Sequence, residues 1–292
     1  MCLRIVSSNV SLDCKGHTIN GTVSVSSALS NVAIANCQMN GLSEVQNASG
    51  LSITSSTIKS TIVFFDSSNL KLDGDTISTS PNLGDNSAVI YVAGGQNNVI
   101  TNNTLDGGYH GSDQSGQGHD AASSNTDDGI VIIDATGDTI SGNAISNVYD
   151  AGIEGVNGVR SSTITNNSIT NALYAGISSY HCTAWDGDTI SGNTVAQSET
   201  ALEFVWQKDA KCDTARNPPS SPSFTNNTMT NNSLTGPVGA YYAVYITFDA
   251  GSAVSGNSYS NNRIQGPVLL SPLSGFSVGG GNSCSPGGNI HC

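Results

Sequence analysis

Five carboxylates recur at matching places in short segments of this chain, and their types and spacing could do chemistry. The segments read DDGIVIID (Asp127–Asp134), DAGIEGVN (Asp150–Asn157), YAGISSYH (Tyr174–His181), ETALEFVW (Glu199–Trp206) and YYAVYITF (Tyr241–Phe248). Aligned, their first residues are Asp127, Asp150, Tyr174, Glu199 and Tyr241. Their fifth residues are Val131, Glu154, Ser178, Glu203 and Tyr245. If each segment is a strand whose fourth residue (Ile130, Ile153, Ile177, Leu202, Val244) points inward, alternation turns the fifth outward. Carboxylates serve as general acid, general base or metal ligand, and exposed aromatic rings give sugar C–H faces a flat apolar platform. The expected chemistry is therefore on carbohydrate. Glu154, Glu203, Asp127 and Asp150 are its candidate catalytic groups. Tyr174, Tyr180, Glu199, Trp206, Tyr241, Tyr245 and Lys208 are candidate substrate contacts.

Geometry sharpens the roles. Stacked strands rise roughly 4.8 Å per coil, so Glu154 and Glu203, two coils apart around Ser178, sit about 9.6 Å apart at the backbone. Inverting glycosidases use carboxyls about 6.5–9.5 Å apart, a range that side-chain lean brings within reach. Asp127 and Asp150 fall on successive coils, where two carboxylates share a proton or hold a cation. Calcium suits such hard oxygens, with Asp127, Asp150 and Glu154 as its ligands. Asp150 and Glu154 lie about 13 Å apart on an extended strand, so they share an ion only if the chain bends before Gly152. The plain alternative is a solvated acidic face.

What positions these residues is a repeat. The fullest copies are ITNNTL (Ile100–Leu105), ISGNAI (Ile140–Ile145), ITNNSI (Ile164–Ile169), ISGNTV (Ile190–Val195), FTNNTM (Phe224–Met229) and VSGNSY (Val254–Tyr259). Looser copies are LDCKGHTI (Leu12–Ile19), IANCQM (Ile34–Met39), ITSSTI (Ile53–Ile58) and LDGDTI (Leu72–Ile77). A period in the twenties marks a solenoid, whose units bury their apolar faces only by stacking. Apolar residues alternate with small polar ones, Val, Ile and Thr dominate, and Gly and Asn punctuate each segment, which argues for strands and turns. The expected fold is all-β, a parallel β-helix of about ten coils. Residues 1–292 then form one domain, with regular coils over 1–99, site-bearing coils over 100–262 and a tail over 263–292. Asn103, Asn143, Asn167, Asn193, Asn227 and Asn257 recur at one motif position and are expected to stack as an internal amide ladder.

With this repeat along nearly its whole length, the chain resembles the right-handed parallel β-helix, or pectin-lyase-like, proteins. That group includes polygalacturonases, pectate lyases, alginate epimerases and phage tailspikes. NTDDG (Asn125–Gly129) is similar to the NTDG of polygalacturonases, but the Asp-Asp pair, Gly-His-Gly and Arg-x-Lys of that family do not follow. The chain is therefore not assigned to that family, and the reading that the two-coil carboxylate pairing and the aromatics favour is a glycoside hydrolase needing no cofactor. The alternative that the wider resemblance implies is a Ca2+-dependent polysaccharide lyase or uronate epimerase. A second alternative is a non-enzymatic extracellular rod, such as an adhesin, surface-layer or ice-binding protein.

Composition narrows the partners. Charged residues are only 11% of the 292, yet the net charge is −13, which repels nucleic acids and anionic membranes. No apolar run approaches transmembrane length. The expected partner is a polysaccharide or oligosaccharide, met by a monomer. Met1 runs straight into Cys2 and a strand, which reads as a start left by removal of a leader. Seven cysteines suggest the pairs Cys182–Cys212, Cys284–Cys292 and Cys2–Cys14, with Cys37 a buried free thiol. Pairing would imply a secreted or extracellular, or periplasmic, location.

Overall fold

The computed structural model describes residues 2–79, 88–109, 127–205, 222–236, 242–248, 251–284 and 289–290, without the side chains of 180–183. Tyr180, Trp206, Lys208, Tyr241, Cys182, Cys212 and Cys292 therefore lie outside the described side chains.

The coils build three sheets of parallel strands, eleven in each among the described residues; in the third, nine follow one path from Val45–Gln46 onward and Ser223–Thr225 and Ala253–Ser255 pair beside it. A representative coil runs Thr139–Ser141, Ala144–Val148 and Ala151–Arg160. The repeat sets the stacking. Leu12, Ile34, Ile53, Leu72, Ile100, Ile140, Ile164, Ile190, Met229 and Tyr259 stand in one unbroken register through the second of the three sheets. Such columns fill the interior, because no coil can bury its apolar side chains alone. The stack continues past residue 262, since Arg263–Gln265, Val268–Ser271 and Phe276–Val278 extend all three sheets.

Two polar ladders run inside the turns. In the first, Asn103, Asn143, Asn167, Asn193, Asn232 and Asn262 are buried. Each accepts, at Oδ1, the backbone N–H of the rung one coil before it: Asn103 donates to Asn143 and Asn143 to Asn167, both at 3.0 Å. Each Nδ2 donates to a carbonyl of the preceding coil, as Asn143 does to Ile100 and Asn167 to Ile140, both at 2.9 Å. The second ladder is Asn98, Asp138, Ser162, Asp188, Asn227 and Asn257. Asn227 and Asn257 thus leave the column expected for them. Phe224 and Val254 register with Trp185, one turn earlier in the coil than Ile190, so the true copies begin at Met229 and Tyr259. The first ladder also reaches upstream through Cys37, Ser56 and Asp75.

The cysteine pairing needs correction. Cys14 bonds Cys37 across two coils, with Cα atoms 4.8 Å apart, and Cys2 is an exposed free thiol. Leu12 and Ile34 are in register, so residues just beyond them meet at the same corner. Cys284 is also disulfide-bonded, to a partner outside the described residues. The Cys14–Cys37 bridge closes a loop with a sequence separation of 23. Cys14→Ser should remove about 3 kcal/mol by loop-closure entropy and lower Tm by roughly 5–10 °C without reductant. Calorimetry checks this; an unchanged Tm would show that coil stacking alone holds the end.

Candidate functional site

The third sheet carries the site. Its strands Asp128–Thr136, Ala151–Arg160, Ala175–Asp186, Thr200–Val205 and Val244–Thr247 lie side by side. Val131 pairs with Glu154, Glu154 with Ser178, Ser178 with Glu203 and Glu203 with Tyr245. Ile130, Ile153, Ile177, Leu202 and Val244 are fully buried beneath them.

At the start of these strands the simple alternation breaks. Gly129, Gly152 and Gly176 form a column where the chain turns the corner from the preceding sheet. A Cβ on Gly152 would overlap Ile169 Cγ2, a core atom, so this position faces inward. Ile153, the next residue, is also in the core. Two successive inward positions shift the alternation by one, so the residue before the glycine, Asp128 in its coil, turns towards the face that carries Glu154.

Asp128 joins them. One carboxylate oxygen each from Asp128, Asp150 and Glu154 lies within 4.8 Å of the others. Asp128 is 5% exposed and Glu154 8%, while Asp150 is half-buried. Asp128 Oδ1 accepts the Ala151 N–H at 3.0 Å. Burial pushes the Asp128 carboxyl well above its usual range, and the charges of Glu154, Asp150 and Asp127 push the same way against that hydrogen bond. The trio thus places one carboxyl biased towards its protonated form among acidic neighbours, an arrangement suited to proton transfer or to holding a hard cation.

Of the residues expected from sequence, Asp150 and Glu154 converge. Asp127 stands beside the trio and accepts the Asp150 N–H through its backbone carbonyl at 2.6 Å, while Asp128 supplies the third converging oxygen. Glu203 is half-buried two coils from Glu154. Glu199 is half-buried, and burial raises its carboxyl. Tyr245 stacks on Tyr242 at 5.5 Å between ring centres.

Tyr109 and Tyr149 have no counterpart among the expected residues. Tyr109, Tyr149 and Tyr174 pack edge to face coil by coil, each pair of ring centres 5.6 Å apart, over Leu173. Burial raises the Tyr174 hydroxyl above its usual value, helped by a hydrogen bond with Tyr149 and by the charges of Glu199 and Asp150. The tyrosine column therefore borders the carboxylates directly. Its signal in the sequence is a tyrosine at the start of the segment in two coils, Tyr149 just before Asp150 and Tyr174 as the first residue after Leu173.

Comparison with known proteins bears on the fold. The family model for a right-handed beta helix region matches residues 40–217. No curated protein sequence matches the chain significantly. The chain is similar in structure to PfbA, a surface adhesin of Streptococcus pneumoniae, with TM-score 0.64 and 11% identity over 96% of this chain and 78% of that one. It is also similar to the Dettilon tailspike protein, with TM-score 0.56 and 15% identity over 96% of this chain, and it spans 59% of the tailspike's length. A mutant DFA-IIIase from Arthrobacter chlorophenolicus A6, solved with DFA-III, covers 90% of this chain at 18% identity and 57% of its own, but its TM-score of 0.41 is too low to transfer residues.

Proposed function

We propose, from the premise that the chain belongs to the right-handed β-helix family, that it is an extracellular glycoside hydrolase acting on an uncharged polysaccharide. The observation that carries this reading is the convergence of Asp128, Asp150 and Glu154, with their oxygens within 4.8 Å of one another and Asp128 biased towards its protonated form. A carboxyl biased towards its protonated form beside two further carboxyls supplies the acid and the base or nucleophile that glycoside cleavage requires. Asp128 protonates the leaving oxygen, Glu154 acts as nucleophile or base, and the charge of Asp150 helps keep the proton on Asp128. The tyrosine column offers a sugar-binding wall beside them. Retaining enzymes hold their two carboxyls about 5–5.5 Å apart, close to the spacing of this trio, so the expected product keeps its anomeric configuration.

A panel of neutral and uronic polysaccharides tests this, with reducing ends and absorbance at about 235 nm read together and the first product's anomer followed by NMR. Reducing ends from a neutral glycan, with retention, support the proposal. Inversion would shift the acid–base pair to Glu154 and Glu203.

The donor set favours one second reading. Three carboxylate oxygens this close would hold Ca2+ through Asp128, Asp150 and Glu154, and the cation would neutralise a uronate for lyase or epimerase chemistry. Absorbance growth on a uronate polymer that stops with chelator would establish that reading over the first.

A further inference from the structure

The two ladders contain carboxyls where their pattern calls for amides. An asparagine rung accepts through Oδ1 and donates through Nδ2 to a carbonyl one coil before it. Asp75 keeps the first half of this pattern, its Oδ1 accepting the Ser56 N–H at 2.7 Å. Asp188 does the same with the Ser162 N–H, also at 2.7 Å. The second oxygen of each stands in the place of Nδ2. Asn103 donates there to Leu72 O and Asn227 to Trp185 O. Leu72 is in register with Ile53 and Trp185 with Val159, so the matching carbonyls are Ile53 O and Val159 O. Neither Asp75 Oδ2 nor Asp188 Oδ2 has a hydrogen-bond partner among the described residues, although both residues are 1% exposed.

An ionised oxygen buried opposite a carbonyl oxygen is two acceptors with no proton between them, and an unsatisfied buried charge is the costlier case. We infer that Asp75 and Asp188 are neutral carboxylic acids whose O–H donates to the neighbouring coil, so that the folded rod holds two protons the unfolded chain releases and is built for acidic surroundings. In this form each acid is isosteric with an asparagine rung.

The surroundings agree. Burial raises Asp75 to about 7, against the Ser56 and Asp73 N–H groups, with the Asp73 charge raising it further. Asp73 itself pairs with Lys71 at 3.0 Å. Burial likewise raises Asp188 to about 7; Asp186 adds to the rise, and the Ser162 and Asp186 N–H groups and Arg160 oppose it. Asp138, whose Oδ2 does receive Asn98 Nδ2 at 3.5 Å, is raised only to about 6. The sign follows. A carboxyl raised on folding contributes stability that is complete below its unfolded value of 3.8 and is lost as pH climbs to about 7.

Asp75→Asn, Asp188→Asn and the double variant test this by thermal unfolding at about pH 4 and about pH 8. Each variant should match the parent at the lower pH and exceed it at the higher, by roughly 5 °C per site. An equal shift at both values, or none at the higher, overturns the inference. Carbon-13 NMR of the aspartate carboxyls in the parent keeps the test decisive if a variant does not fold. Beside the signals of Asp128 and Asp138, two further carboxyls still protonated at about pH 6 are expected, missing in the double variant; a parent spectrum identical to that of the double variant in protonated carboxyls at that pH overturns it.

Discussion

Glu154→Gln should lower the cleavage rate by roughly 10³-fold, and Asp128→Asn by a similar factor, with each variant remaining folded. Both side chains are isosteric with the originals, so the buried corner keeps its shape and only acid–base capacity is lost. The pH dependence separates a chemical role of either group from a packing role. The Glu154 charge is the first of the neighbouring charges that raise Asp128. Removing a weaker contributor while leaving the acid in place, as in Asp150→Asn, should therefore lower the pH at which Asp128 loses its proton. The alkaline limb of the kcat profile then moves to lower pH. A structural role would leave that limb where it was. Stability gives an independent reading. Asp128 is raised on folding, so it contributes stability that is present below the unfolded value and lost as pH rises through its folded one. Asp128→Asn should accordingly raise Tm near neutral pH while removing activity, the trade expected where a site keeps an unfavourable charge for function. Full activity in both Glu154→Gln and Asp128→Asn would remove the trio from the chemistry and leave Glu203 and Asp127 as candidates.

How far the sequence reaches depends on which physical rule governs each position. Strand register was legible because apolar alternation leaves no choice. Ile153 must face inward, and Glu154 then stacks with Ser178 and Glu203. The ladders were half legible. Both turns of a coil end on Asn, Asp or Ser at the same offset from an apolar residue, so Asn227 and Asn232 look alike in sequence, and only stacking on Asp188 or Asn193 separates them. The cysteine pairing was hidden for a related reason. Cys14 meets Cys37 through the neighbouring coil, whereas Cys2 and Cys14 are nearer in sequence but not across a coil boundary. Asp128 was missed because strict alternation turns Asp127 outward. The corner breaks that alternation, and a Gly column is the only trace of it in the letters.

That column carries the other large expected effect. Gly152→Ala should cost about 4 kcal/mol or more, above the usual range for overpacking, and Gly152→Leu should abolish folding. No left-handed backbone is involved; the demand is for space. A Cβ at Gly152 would overlap Ile169 Cγ2 and stand 2.7 Å from the backbone carbonyl oxygen of Gly176. The first obstacle is a core side chain held at 1% exposure, and the second is a neighbouring coil that cannot move alone. Gly129 and Gly176 meet the same obstacles, Gly129 against Ile145 and Gly152, Gly176 against Val195 and Ala201, so relief at one coil strains the next. Gly152 also lies between Asp150 and Glu154. Any relaxation that admits a methyl group must push this corner outward and separate the two carboxylates. Activity should therefore fall further than the loss of folded protein explains, even at a temperature where Gly152→Ala remains folded. Circular dichroism melts with kcat measured on the folded fraction check this. A Gly152→Ala protein with the parent's Tm would mean that the corner has room, and the close approach that brings Asp150 to Glu154 would then need another cause.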